Sequence, residues 1–344
     1  MKHYISAVLL FVSITLYGCV NMSVPITLAE NKTSFSYIPF DPLPVQVAYQ
    51  DHCSSDSYPA FLGDSVKAKI QDLKISFPDQ TVRLAVGEFT SSGGLSFGST
   101  TIGYEGNTYQ VVIDYMNTDT VEGSFLARRE IVGQVARKGR FGLFDYKWEE
   151  DRKGEIVPLL EPLPPGYVSN YKILPNPESE IFSSYFNEAN TKAVTELRSK
   201  ADFEPISLPV YVGVGLRLTA TVTVTNGEVD LSGLPEIAAE ARAGNISGTL
   251  VVQTLGATGP LVSSNLPLPS ELDRTTIQNA ILAIGSIKAL LMDESMVITP
   301  RVIGIYNPIG GGQSFNNGVI TALATKPIVW KRPCVLKADI EAES

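Results

Sequence analysis

The sequence predicts an α+β fold in which antiparallel sheet predominates. A few amphipathic helices pack on one sheet face, and the chain divides into two subdomains. Three observations carry this prediction. Residues 210–225, VYVGVGLRLTATVTVT, alternate without a break: Val210, Val212, Val214, Leu216, Leu218, Ala220, Val222 and Val224 share one face of a strand, and polar or small residues share the other. Asn226-Gly227 then gives a tight-turn signal, and NISGTLVVQTL at 245–255 supplies an antiparallel return. Finally, Ile277, Ala280, Ile281, Ile284, Ile287 and Leu291 recur at helical spacing, which makes a buried helix face for that hairpin to pack on.

Within the first of these segments, Tyr211, Arg217, Thr219, Thr221 and Thr223 occupy the polar face and form the candidate interaction surface. A lone arginine among hydroxyl side chains suits a wet cross-strand ion pair, the lining of a lumen or a contact with an acidic partner. The run would extend roughly 50 Å at about 3.3 Å per residue. That length implies a strand that crosses two packed layers or one that faces lipid.

The remaining elements follow in order. Residues 19–59 are rich in proline, serine and asparagine and read as an extended tether. Residues 60–155 form an α/β subdomain. It has a short helix beginning near Asp64, strands at 82–89, 99–104 and 108–115, a helix at 125–135 weakened by Gly133, and a strand through Phe141, Leu143, Tyr146 and Trp148. Residues 156–177 carry six prolines, among them Pro164 and Pro165, and read as a linker. Residues 178–344 form an α+β subdomain that holds the long hairpin. It opens with a helix to about Lys200, and a short helix at 234–243 ends at Gly244. Ser270 with Asp273 resembles a capping box, strands follow at 297–306 and 327–330, and NPIGGGQSFNNG reads as a loop.

Composition excludes several functions. The chain has 344 residues with a formal charge of −9, which disfavours nucleic acid as a partner. Only two histidines occur, His3 and His52, so histidine triads and multi-histidine metal centres lack material. Gly310, Gly311 and Gly312 are not followed by the lysine and hydroxyl of a phosphate loop. The acidic pairs Glu149–Glu150 and Asp293–Glu294 lie at element ends and read as solvated surface. No catalytic residue, metal ligand or cofactor is predicted.

The N-terminus supplies the location. Lys2 precedes an apolar run at 5–16 that is too short to cross a bilayer as a helix and has the form of a secretory signal. The run ends in Leu16, Tyr17, Gly18 and Cys19, which resemble the lipobox of bacterial lipoproteins. The resemblance implies cleavage after residue 18 and lipidation of Cys19. With Val20 following, it further implies sorting to the outer membrane, facing the periplasm. Cys53 and Cys334 then remain as a pair in an oxidising compartment and are predicted to be bonded.

A second resemblance lies in RLAVGEFTSSGG at 83–94 and VARKGRFGLFDYKWE at 135–149. Together they are similar to the strand, helix and Arg-Phe-turn strand of the curli-export channel lipoproteins. That likeness covers about a quarter of the chain. It implies a lipid-anchored α/β domain that assembles into rings and contributes hairpins to an outer-membrane barrel. The sequence departs from the pattern in an extra hairpin at 95–115 and in Tyr146-Lys147, where an acidic-basic pair is usual. The expected function is a non-enzymatic structural or assembly component of the cell envelope, bound to the membrane through its lipid and to envelope proteins or itself. The alternatives are an export-channel subunit and an envelope glycan hydrolase working through two carboxylates.

Overall fold

The computed structural model describes residues 36–48, 57–58, 77, 79–89, 94–98, 101–140, 143–182, 192–193, 195–196, 199, 202–258, 266–290, 297–331 and 335–336. Cys19, Cys53 and Cys334, the expected helix at Asp64 and most of the expected helix after residue 178 lie outside the described residues.

The strands are, in order, β1 (Ser36–Ala48), β2 (Ser57–Tyr58), β3 (Asp79–Phe89), β4 (Leu95–Phe97), β5 (Ile102–Tyr104), β6 (Thr108–Arg140), β7 (Leu143–Glu149), β8 (Ile156–Val157), β9 (Tyr167–Pro175), β10 (Glu204–Val224) and β11 (Glu228–Asp230). Helix α1 (Leu234–Ala243) follows, then β12 (Ile246–Leu255), β13 (Ala257–Thr258), β14 (Ser270–Glu271) and α2 (Arg274–Leu290). The chain continues with β15 (Val297–Ile298), β16 (Arg301–Asn307), α3 (Gly312–Thr325), β17 (Ile328–Lys331) and β18 (Val335–Leu336). The fold is α+β with sheet dominant.

Twelve of these strands form one sheet, whose main path runs β17-β1-β16-β10-β6-β3-β4. Its spine is β6 against β10, antiparallel from Glu204 opposite Ala127 to Thr223 opposite Thr108. On the other edge of β10, β16 pairs with Val210–Gly213 and β12 with Gly215–Val224. The predicted hairpin of residues 210–225 with 245–255 is therefore present, with Val224 opposite Ile246 and Gly215 opposite Leu255. The parallel pair β1–β17 interrupts the otherwise antiparallel pattern of this sheet among the described residues.

The length of β10 has a packing cause. Its lower part, Val210, Val212 and Val214, belongs to a core with Ile38, Val302, Ile305, Phe315 and Trp330. Its upper part, Leu218, Ala220, Val222 and Val224, belongs to a second core with Val111, Ile113, Leu234, Ile237, Ile277 and Ala280. One strand thus crosses two cores, and each aliphatic side chain it buries contributes about 1.5–3 kcal/mol relative to exposure. The expected packing of this strand on residues 277–291 holds through Ile277 and Ala280, with Ile284 at its margin, whereas Ile281 is exposed. The helices cover different parts of the sheet: α1 and α2 lie at the β10–β12 end, whereas α3 packs on β9, β1 and β4.

Several sequence expectations are corrected. Residues 125–135 are strand within β6, because Phe125, Leu126 and Ala127 are buried between β10 on one side and β9 on the other. Tertiary pairing there overrides a helical reading. The strand–helix–strand order implied by the curli-export likeness is absent over these residues. Residues 156–177 are not a free linker: β8 and β9 pair with β6, while Pro162, Pro164 and Pro165 lie in the turn between them. The proposed boundary is crossed by the sheet, since β6 and β10 come from different expected subdomains. Within the expected tether, β1 is an integral strand with Tyr37, Ile38 and Phe40 buried. Residues 228–230, which follow the Asn226-Gly227 turn, pair with β5.

Candidate functional site

A row of polar side chains crosses the sheet where the two halves of β10 meet. Arg83 on β3 stands opposite Asp114 on β6, Asp114 opposite Arg217 on β10, and Arg217 opposite Gln253 on β12. Arg217 donates from Nε to Asp114 Oδ1 at 2.7 Å and from Nη2 to Asp114 Oδ2 at 2.7 Å. This is the two-toothed geometry in which guanidinium and carboxylate match best. Tyr37 on β1 donates its hydroxyl to Asp114 Oδ2 at 2.5 Å. All three residues are buried: Asp114 is 0%, Arg217 4% and Tyr37 6% exposed.

Backbone irregularity explains why an arginine belongs here. The β1–β16 register jumps from Pro39 opposite Gly304 to Leu43 opposite Val302, and the β10–β16 register jumps between Tyr211 and Val212. Ile303 is skipped in both ladders and Phe40 in the first, as happens at β-bulges. Their carbonyls accept from Arg217 instead, Phe40 O from Nη1 at 2.6 Å and Ile303 O from Nη2 at 2.9 Å. One guanidinium thus satisfies two carbonyls that would otherwise be buried without partners.

Aromatic rings wall the cluster. The Arg83 guanidinium lies 3.8 Å from the Tyr211 ring centroid and 5.7 Å from that of Tyr37, and the two rings meet edge-on at 5.6 Å. Gly304 lies against Tyr37, and a Cβ there would overlap the ring. Burial, then the Asp114 charge, pushes the Tyr37 hydroxyl well above its ordinary pKa. Burial opposes the Arg217 charge, but hydrogen bonds and charge from Asp114 outweigh it and hold the guanidinium above its ordinary value.

The expected interaction surface is divided by this arrangement. Tyr211 and Arg217 are inside, where Tyr37 and Phe40 of β1 and Arg83 of β3 lie against them. Thr219, Thr221 and Thr223 are half-buried on the continuation of the same face, and Thr223 Oγ1 lies 3.1 Å from Thr108 Oγ1. Sequence reasoning missed Tyr37 and Asp114. The available signal was an acid inside the apolar run VVIDYM, since aspartate is depleted in strands. Among the described residues no group of three histidine, cysteine or acidic side chains is placed to hold a metal ion. No described helix is long and apolar enough to cross a membrane, which says nothing of strands.

The site and fold define a sheet-dominated α+β protein with a bonded arginine–aspartate–tyrosine cluster at its centre. Comparison of this chain with known families, curated proteins and solved structures finds no match.

Proposed function

We propose that the protein is a lipid-anchored, non-enzymatic structural or assembly component of the bacterial envelope, held at the outer membrane through Cys19. The observation that carries this reading is the destination of β10's upper apolar face. Leu218, Ala220, Val222 and Val224 pack with residues of α1 and α2, which supports attachment through the lipobox cysteine rather than through this strand. A barrel subunit would need that face to meet lipid. The polar centre supports a structural role as well. Both oxygens of Asp114 and all three nitrogens of Arg217 are engaged within the protein.

The bond between Cys53 and Cys334 belongs to the same proposal. Its ground is the oxidising compartment that the lipobox implies; nearby, Tyr58 pairs with Val335 and Ser57 with Leu336. The anchor is tested by growing cells with labelled palmitate. The wild type should incorporate label and Cys19→Ala should not; label persisting in the variant would refute anchoring at Cys19.

A further inference from the structure

Outside the central cluster, one stretch of β6 lacks an outer neighbour among the described residues. β3 leaves its outer edge at Thr118, and β9 joins that edge at Phe125. Between them, among the described residues, β6 pairs with β10 alone. The Ser124 carbonyl accepts from the Asn176 N–H at 3.2 Å, on the side away from β10. Backbone groups alternate sides along a strand, so Thr120 and Glu122 also turn their N–H and C=O outward. Both residues are exposed, and neither backbone has a partner on that side among the described residues.

A second strand edge, partly capped by Ile181, borders the same space. β17 pairs with β1 along one side. On the other side the Val329 N–H donates to the Ile181 carbonyl at 2.8 Å, so Val329 and Lys331 point outward. A cavity of about 460 Å³ lies between the edges, lined by Val121, Glu122, Ser124, Ile181, Val329 and Lys331. The Trp330 indole, donating to Asp119 Oδ2 at 2.7 Å, ties β17 to β6 beside it.

We propose that this slot receives an extended segment of a partner protein, added as a strand through backbone hydrogen bonds to Thr120 and Glu122. Unpaired strand edges recognise an extended backbone before any side chain. Val121, Ile181 and Val329 offer an apolar floor for alternate side chains, and the lining sets two acidic side chains, Glu122 and Glu180, against Lys331, which in a chain of net charge −9 favours a basic residue in the occupant. The occupant is therefore an alternating apolar–polar peptide with a lysine or arginine. The proposal does not depend on the lipid anchor.

Amide hydrogen exchange on the full mature chain tests it. In the free protein Thr120 and Glu122 should exchange fast, while Val121 and Gly123, turned toward β10, are protected. The probe is a synthetic decapeptide of alternating valine and threonine with one central lysine, beside the same peptide N-methylated at alternate residues. At nine-tenths occupancy the unmethylated peptide should slow Thr120 and Glu122 about tenfold, and the methylated one should not. Glu122→Pro removes an outward N–H without touching the β10 ladder and should abolish the peptide's effect at Thr120, with Val121 still protected. Protection of Thr120 and Glu122 in the free protein would overturn the proposal if it is concentration-independent. It would equally do so if lost on dilution, since a second copy would then be the occupant. No added protection, or equal protection by both peptides, would also overturn it.

Discussion

Arg217 illustrates how one residue connects both halves of the molecule. Its guanidinium bonds β6 through Asp114, β1 through Phe40 and β16 through Ile303. Removing one partner leaves the other charged and buried, which typically costs about 3–5 kcal/mol. Arg217→Met and Asp114→Asn are expected to lower stability by that order in denaturant titrations, and the double variant by less than the sum. Tyr37 adds a pH dependence. Its hydroxyl has an ordinary pKa of about 10, raised in the fold by burial and Asp114. The protonated form is the one the fold favours, so its contribution is complete below about pH 10 and is lost as pH rises toward the folded value. Wild type should therefore lose stability above pH 10 more steeply than Tyr37→Phe, as measured by denaturation at pH 9 and 11. The arginine was visible in the sequence as an odd residue on a hydroxyl face. Its burial was not, because the bulges that present Phe40 and Ile303 to it arise from register between strands distant in sequence.

At the scale of elements, strict periodicity was legible and context was not. β10, β12, α1 and α2 each carry their own signal. In α1, Glu236 lies in the first turn, Arg242 in the last, and Gly244 at φ 75° closes the helix. The N-terminus of α2 is capped by Asp273, whose Oδ1 accepts from the Thr276 N–H at 2.7 Å, while Ser270 lies in β14 instead. The first half of α3 falls in the stretch whose glycines read as loop: Gly310 and Gly311 precede the helix and Gly312 opens it. All three have positive φ, and Asn307 organises the turn by accepting from the N–H groups of Ile309 and Gly310 at 2.9 Å. Residues 125–135 failed in the opposite direction, a helical look overruled by two neighbouring strands. The packing of α2 makes a paired prediction: Ile277→Ala, 1% exposed in wild type, should cost about 2–5 kcal/mol. Leu282→Ala, 69% exposed, should change stability by less than about 0.5 kcal/mol. Thermal melts of the two variants check both.

For the whole molecule, the fold class could be read from the sequence, whereas the two-subdomain division could not foresee that β6 and β10 would pair along most of β10. Proline content suggested a linker at 156–177, but its prolines fall largely at strand ends and in the turn before β9, where a missing N–H is tolerated. If Cys53 and Cys334 are bonded, the bridge ties segments near both ends of the described chain. Intact mass without reductant should then fall about 2 Da below the reduced value, one hydrogen lost from each thiol. An unchanged mass would mean that both remain free.

The central claim is that the lipid, not β10, attaches the protein to the membrane. Its most direct measurement is the fractionation of cells that carry Cys19→Ala, with alkaline carbonate washing of the membranes and sizing of the extracted protein. The account predicts a variant released into the soluble fraction at the size of the folded chain, while the wild type stays with the membrane. A Cys19→Ala protein that resists the wash as a ring-sized species would contradict it and return the long hairpin to the bilayer.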